Sequence, residues 1–144
     1  MGTYLHSLDS KGRLTVPSRF RELMPDGATL TEGVEQCLDL YPGEVWQQKA
    51  NRVVALDDFT PEGRNARRKL FANAEPAEFD RQGRVILSQS LRQSAGIEKD
   101  VAVVGAGEKI EIWSQESWEQ QKRRVDESAA DTMLEARSQS THTL

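Results

Sequence analysis

Apolar and polar positions alternate at the start of the chain. From Thr3 to Leu8, Tyr4, His6 and Leu8 fall on one side and Leu5 on the other, which predicts a short strand. Asp9-Ser10-Lys11-Gly12 follows. Asp suits the first position of a type I turn and Gly a following left-handed position, as in a hairpin closed by a G1 bulge. Alternation resumes at Arg13-Leu14-Thr15-Val16, and Pro17 to Leu23 predicts one short helix with Phe20 and Leu23 facing inward. Ala28 to Thr31 and Cys37 to Tyr41 read as two further strands. Val45, Trp46, Lys49, Ala50 and Val53 then mark an amphipathic helix, and Thr60-Pro61 caps another that carries Ala66, Leu70 and Phe71.

The same order then returns. Asp80-Arg81-Gln82-Gly83-Arg84 superimposes on Asp9-Ser10-Lys11-Gly12-Arg13 at a shift of 71 residues, and Val85-Ile86-Leu87 follows as Leu14-Thr15-Val16 did. Leu91-Arg92 stands where Phe20-Arg21 stood, and Val101 to Val104 corresponds to the strand at Ala28 to Thr31. Ile110 to Trp113 corresponds to Leu38 to Tyr41 at a shift of 72, and Trp118 falls on Trp46 at the same shift. Ser88 replaces Pro17, which weakens the signal for the second short helix. A polar helix is expected from Glu116 to about Ala136, with a flexible tail from Ser138 to Leu144. The elements predict an α+β chain, mainly β. It divides into a first repeat at 3–45, linking helices at 46–73, a second repeat at 74–117 and a C-terminal helix and tail at 118–144.

At 144 residues with 37% apolar content, each repeat alone is lean for a core, so intimate packing of the two and oligomerisation are expected to supply buried area. Cys37 is the only cysteine and His6 and His142 the only histidines, so neither a disulfide framework nor a zinc site is expected. No apolar run approaches the roughly 20 residues of a membrane helix, and no signal peptide is evident, which points to a cytoplasmic protein. The net charge of −4 decides little about nucleic acid, because a locally basic face acts within about 10 Å. Lys11, Arg13, Arg19 and Arg21 form such a cluster around the first motif. Arg64, Arg67, Arg68 and Lys69 form another, which reads more simply as a solvated helix face.

No catalytic set emerges. A duplicated Asp invites an aspartic dyad, but each Asp is followed within four residues by an Arg that favours the ionised form. Val104-Gly105-Ala106-Gly107-Glu108 lacks the third glycine and the helix of a dinucleotide site. Asp9, Gly12, Asp80 and Gly83 read as turn structure. Arg13 and Arg84 admit two readings: an ion pair that stiffens the hairpin, or a guanidinium held ready for phosphates or a guanine edge. Lys11, Arg19 and Arg21 favour DNA for the first copy, and Arg81 and Arg92 serve the second, where Gln82 replaces Lys11. The first motif is therefore expected to carry more of the binding.

Leu8-Asp9-Ser10-Lys11-Gly12-Arg13-Leu14-Thr15-Val16-Pro17 resembles the MraZ family of bacterial transcriptional regulators, double-copy members of the swapped-hairpin SpoVT-AbrB superfamily. Phe79 to Leu87 and the stretch from Glu111 to Trp118 agree with it in order and spacing, so the resemblance spans about residues 2 to 120. It implies two interleaved hairpin repeats in one pseudo-two-fold, barrel-like module with flanking helices, assembling as a ring homo-oligomer. It also implies a nucleoid-associated DNA-binding regulator, most simply a repressor. Such a protein acts on repeated boxes in double-stranded DNA upstream of its own division and cell wall gene cluster, with no cofactor. The family usually opens with Met-Phe, whereas this chain has Met1-Gly2. The competing expectation is a non-enzymatic protein-interaction scaffold whose hairpin surface binds a protein. An antitoxin-like role fits less well, since such proteins usually carry one copy and a toxin-binding tail.

Overall fold

The computed structural model describes residues 1–142, with side chains through Ala136. The first copy supplies β1 (Thr3–Ser7), β2 (Arg13–Thr15), α1 (Ser18–Arg21), β3 (Ala28–Glu32) and β4 (Leu38–Pro42). Two helices follow, α2 (Gly43–Val54) and α3 (Pro61–Phe71). The second copy repeats the series as β5 (Glu75–Ala77), β6 (Arg84–Ile86), α4 (Gln89–Ser94), β7 (Asp100–Ala106) and β8 (Lys109–Ser114), then α5 (Gln115–His142). Helix α5 is continuous to His142, into the stretch 138–144 expected to form a tail; residues 143 and 144 lie outside the described ones.

Six strands form one antiparallel sheet in the order β1-β7-β8-β4-β3-β5, while β2 and β6 form a separate two-stranded ribbon. Reading the sheet order backwards exchanges the copies, so a pseudo-two-fold axis runs between β4 and β8. The edge strands cross over: β1 of the first copy pairs with β7 of the second, and β5 of the second with β3 of the first. The sheet is open at β1 and β5, and the ribbon strands pair only with each other among the described residues, so no closed barrel forms. The arms of the expected hairpin part after the turn, β1 joining the sheet and β2 the ribbon.

The core lies between sheet and ribbon and is built from matched positions of both copies: Leu14 with Val85, Val16 with Leu87, Phe20 with Leu91, and Leu38 and Leu40 with Ile110 and Ile112. Burial of these side chains contributes on the order of 1.5–3 kcal/mol apiece. Neither copy closes this core alone. Leu23, expected inward, is 45% exposed; α1 ends at Arg21, and the turn that follows carries Met24 into the core instead. The second short helix is the better formed of the two. Ser88 accepts a hydrogen bond from the Leu91 N–H at its N-cap, whereas Pro17 offers α1 no side-chain cap.

The opposite face of the sheet carries a buried polar cluster. Asp39, 2% exposed, accepts from Tyr41 at 3.0 Å and Lys109 at 3.1 Å, and Lys109 also reaches Glu111 at 3.4 Å. Asp39 and Glu111 are direct cross-strand partners at the pseudo-two-fold axis. Burial pushes the Asp39 carboxyl above its ordinary value, against the lowering pull of Lys109. Helices α2 and α3 cover this side through Trp46, which packs on Tyr41 and Phe71, while Trp118 of α5 packs on Trp113. No described helix is long and apolar enough to cross a membrane.

Candidate nucleic-acid interface

Both Asp-x-x-Gly-Arg stretches fold into the same turn for the same local reasons. In the first, the Asp9 N–H donates to Arg13 O and the Gly12 N–H to Asp9 O, each at 3.0 Å. Asp9 Oδ1 accepts the N–H groups of Lys11 and Arg13 at 2.9 Å, and Oδ2 accepts Arg13 Nε at 2.6 Å. In the second, Asp80 Oδ1 accepts from Gln82 and Arg84 at 2.9 Å and Oδ2 accepts Arg84 Nε at 2.8 Å. Gly12 and Gly83 sit at φ +75° and +76°, a left-handed conformation that a side chain would disfavour. The Arg13 N–H donated to Asp9, with the Arg13 guanidinium and the Lys11 N–H, holds that carboxyl below its ordinary value; Arg84 and Gln82 do the same for Asp80. Each Asp thus closes its turn and orients its Arg. The two readings of Arg13 and Arg84 are compatible, because an ion pair through Nε leaves the terminal nitrogens of the fork as donors.

The ribbon sets the two arginines side by side. Arg13 pairs with Ile86, Leu14 with Val85 and Thr15 with Arg84. Leu14 and Val85 point into the core, so period-two alternation turns Arg13, Thr15, Arg84 and Ile86 outward. Lys11 and Arg81 stand exposed at the tips of the turns. Ile86, an apolar side chain 64% exposed opposite Arg13, was absorbed into the apolar run Val85-Ile86-Leu87 when read as sequence. The alternation seen in Arg13-Leu14-Thr15, applied to the second copy, would have picked it out.

The remaining basic residues are distributed otherwise than their sequence neighbours suggest. Arg19 lies over the Tyr4 ring at 4.6 Å and the Phe20 ring at 5.4 Å. Arg21 donates through Nε to Val16 O at 3.0 Å and lies against Gly83, the turn of the other copy. Arg92 donates to Leu87 O at 3.0 Å and lies against Gly12. Arg21 therefore stands at the second turn and Arg92 at the first, each exchanged between the copies. The Arg64 to Lys69 cluster is engaged locally: Arg67 donates to Val54 O at the end of α2 and to Leu56 O just beyond it, Arg64 to Asp58 O, and Lys69 pairs with Glu32 at 2.9 Å.

One other group of ligand-type side chains occurs among the described residues. Atoms of Glu35, Cys37 and Glu111 lie within 4.8 Å of one another, but burial pushes the Cys37 thiol up and favours the protonated form, which suits a metal poorly.

Two copies that exchange edge strands and jointly present a pair of Asp-held arginines on one ribbon define a tandem-duplicated α+β protein whose candidate site is built by both copies. The family model described as "MraZ protein, putative antitoxin-like" matches the chain twice, over residues 1–69 and 70–139. A protein of Thermomicrobium roseum named "Transcriptional regulator MraZ" is 46% identical over 118 residues, covering 82% of this chain and 83% of its own length. Proteins of the same name from Desulfitobacterium hafniense and Lachnoclostridium phytofermentans are 39% and 41% identical, covering 93% and 94% of this chain and 96% and 95% of their own. The chain belongs to the MraZ family.

Proposed function

We propose that this chain is a non-enzymatic, sequence-specific DNA-binding regulator of transcription, and that the β2–β6 ribbon with its two turns faces the DNA. One observation carries the reading: Arg13 and Arg84 are oriented by Asp9 and Asp80 on the outward face of a two-stranded ribbon. The major groove, about 12 Å wide, admits such a ribbon, and an arginine fork matches a guanine edge or a phosphate. Lys11, Arg81, Arg19 and Arg21 join them in the proposed interface, while Asp9, Gly12, Asp80 and Gly83 hold the turns. The name carried by the curated relatives supports regulation of transcription.

The finer reading is a cytoplasmic, nucleoid-associated repressor that binds repeated boxes upstream of its own division and cell wall gene cluster. Its functional units are the repeats at 3–45 and 74–117, in the swapped-hairpin arrangement, with helices at 46–73 and 118–144. As a ring homo-oligomer it would set equivalent ribbons against successive boxes, and linked weak contacts would raise affinity without new chemistry. A mobility shift on the duplex upstream of its coding sequence, beside light scattering of the free protein, tests both parts. A retarded complex and a closed oligomer are expected; no shift at low salt would sink the DNA reading.

A further inference from the structure

Each turn of the ribbon rests on an arginine from the other copy, and we infer that this builds two composite phosphate sites, Lys11–Arg13–Arg92 and Arg81–Arg84–Arg21, for successive phosphodiesters of the DNA backbone. The assignment rests on the DNA-binding reading and deepens it by naming which cations act together.

The geometry is reciprocal. The Val16 N–H donates to Gly83 O and the Leu87 N–H to Gly12 O, both at 3.0 Å, so each turn is stitched to the strand end of the other copy. From just beyond those strand ends, Arg21 and Arg92 fold back and donate Nε to Val16 O and Leu87 O. That bond fixes the plane of each guanidinium beside the opposite glycine. A Cβ built on Gly83 would stand 2.6 Å from Arg21 Cζ, and one on Gly12 would stand 3.3 Å from Arg92 Cζ. The missing side chain therefore does two things: it permits the left-handed turn, and it opens the slot in which the foreign guanidinium lies.

The charges make this slot an anion site. Nε is committed to a carbonyl, so the Nη groups are the donors left to the fork. Both arginines are half-buried and held at Nε, which reduces the entropy cost of presenting them. Each turn sets its three cations against one Asp that is already paired with its own Arg, and Asp9 also lies 3.7 Å from Arg84. Beside the first turn a concavity bounded by Asp9, Gly12 and Arg92 also takes in Glu98 and Lys99, which offset each other. Sequence proximity would group Arg13 with Arg21; the fold groups Arg13 with Arg92.

Double-mutant cycles test this, using a fluorescein-labelled duplex from upstream of the coding sequence and the full chain. Arg21→Gln and Arg92→Gln remove the charge while keeping an N–H donor for the carbonyl; Arg21→Met and Arg92→Met, which also remove the charge and keep the apolar stem, replace them in the same cycles if the Gln forms do not fold. Cations that share one phosphate are non-additive. The double variants Arg13→Ala/Arg92→Gln and Arg84→Ala/Arg21→Gln should therefore bind at least about fivefold better than the product of the single losses implies. Arg13→Ala/Arg21→Gln and Arg84→Ala/Arg92→Gln should be additive. Coupling within each copy, or Gln variants with wild-type affinity and salt slope, would overturn the assignment while leaving DNA binding intact. A wild-type chain without salt-dependent binding would overturn the DNA reading itself.

Discussion

Arg84 Nη1 lies 3.7 Å from Asp9 Oδ2, so one carboxylate of the first copy faces both its own Arg13 and the arginine of the second. Asp9 is thus the link between the two turns, and the two clusters of cations lie side by side on one ribbon.

Proton binding should reveal that link. Asp9 and Asp80 both titrate below their ordinary value of 3.8 in the fold, because they accept backbone N–H groups and an arginine. A depressed acid contributes its stability above the unfolded value and loses it as pH falls through the folded one. The Nε–H resonances of Arg13 and Arg84, bonded to these carboxylates, should therefore hold their chemical shifts in NMR spectra at pH 5 and move only below about pH 4. A shift change already complete near pH 6 would mean that the carboxylates do not hold them.

Glycine replacement separates backbone strain from the slot. Gly12→Ala and Gly83→Ala each force a side chain into left-handed backbone, a cost of about 1–2 kcal/mol. Gly83→Ala must in addition displace Arg21, while Gly12→Ala meets Arg92 and Leu87 O less severely. Thermal melts should rank Gly83→Ala below Gly12→Ala and both below wild type.

The buried cluster behind the sheet predicts a pH-dependent defect. Lys109→Met leaves Asp39 buried without its cation, a loss of roughly 3 kcal/mol at neutral pH. Burial already raises the Asp39 carboxyl and Lys109 restrains it, so removing Lys109 lets it rise further. A raised acid recovers stability as pH falls and the carboxyl takes up its proton. Urea melts should show the Lys109→Met deficit shrinking between pH 7 and pH 5; a deficit that does not change with pH would count against this account.

Element type was legible because it is local. The alternation around Tyr4 and Leu14, the Asp–Gly turns and the Thr60-Pro61 cap each carry their signal within a few residues. The duplication was legible as spacing. Partner choice was not: nothing near Thr3 says that β1 joins β7, because either copy's strands satisfy the same hydrogen bonds and only the shared core decides. The exchange of Arg21 and Arg92 between turns follows from that pairing and was hidden with it. Leu23 was misplaced because a four-residue helix is too short for its period to fix the next residue. The burial of Asp39 was not legible either, because it depends on Trp46 of α2 covering that face of the sheet.

The central claim, that the paired arginines of one ribbon bind DNA, is tested most directly by fluorescence anisotropy of the upstream duplex with wild type, Arg13→Ala and Arg84→Ala across a salt series. Both variants should keep the wild-type oligomer size and lose affinity comparably, by roughly tenfold or more, with the slope of log affinity on log salt reduced by about one in each. Undiminished affinity in both variants would contradict the account.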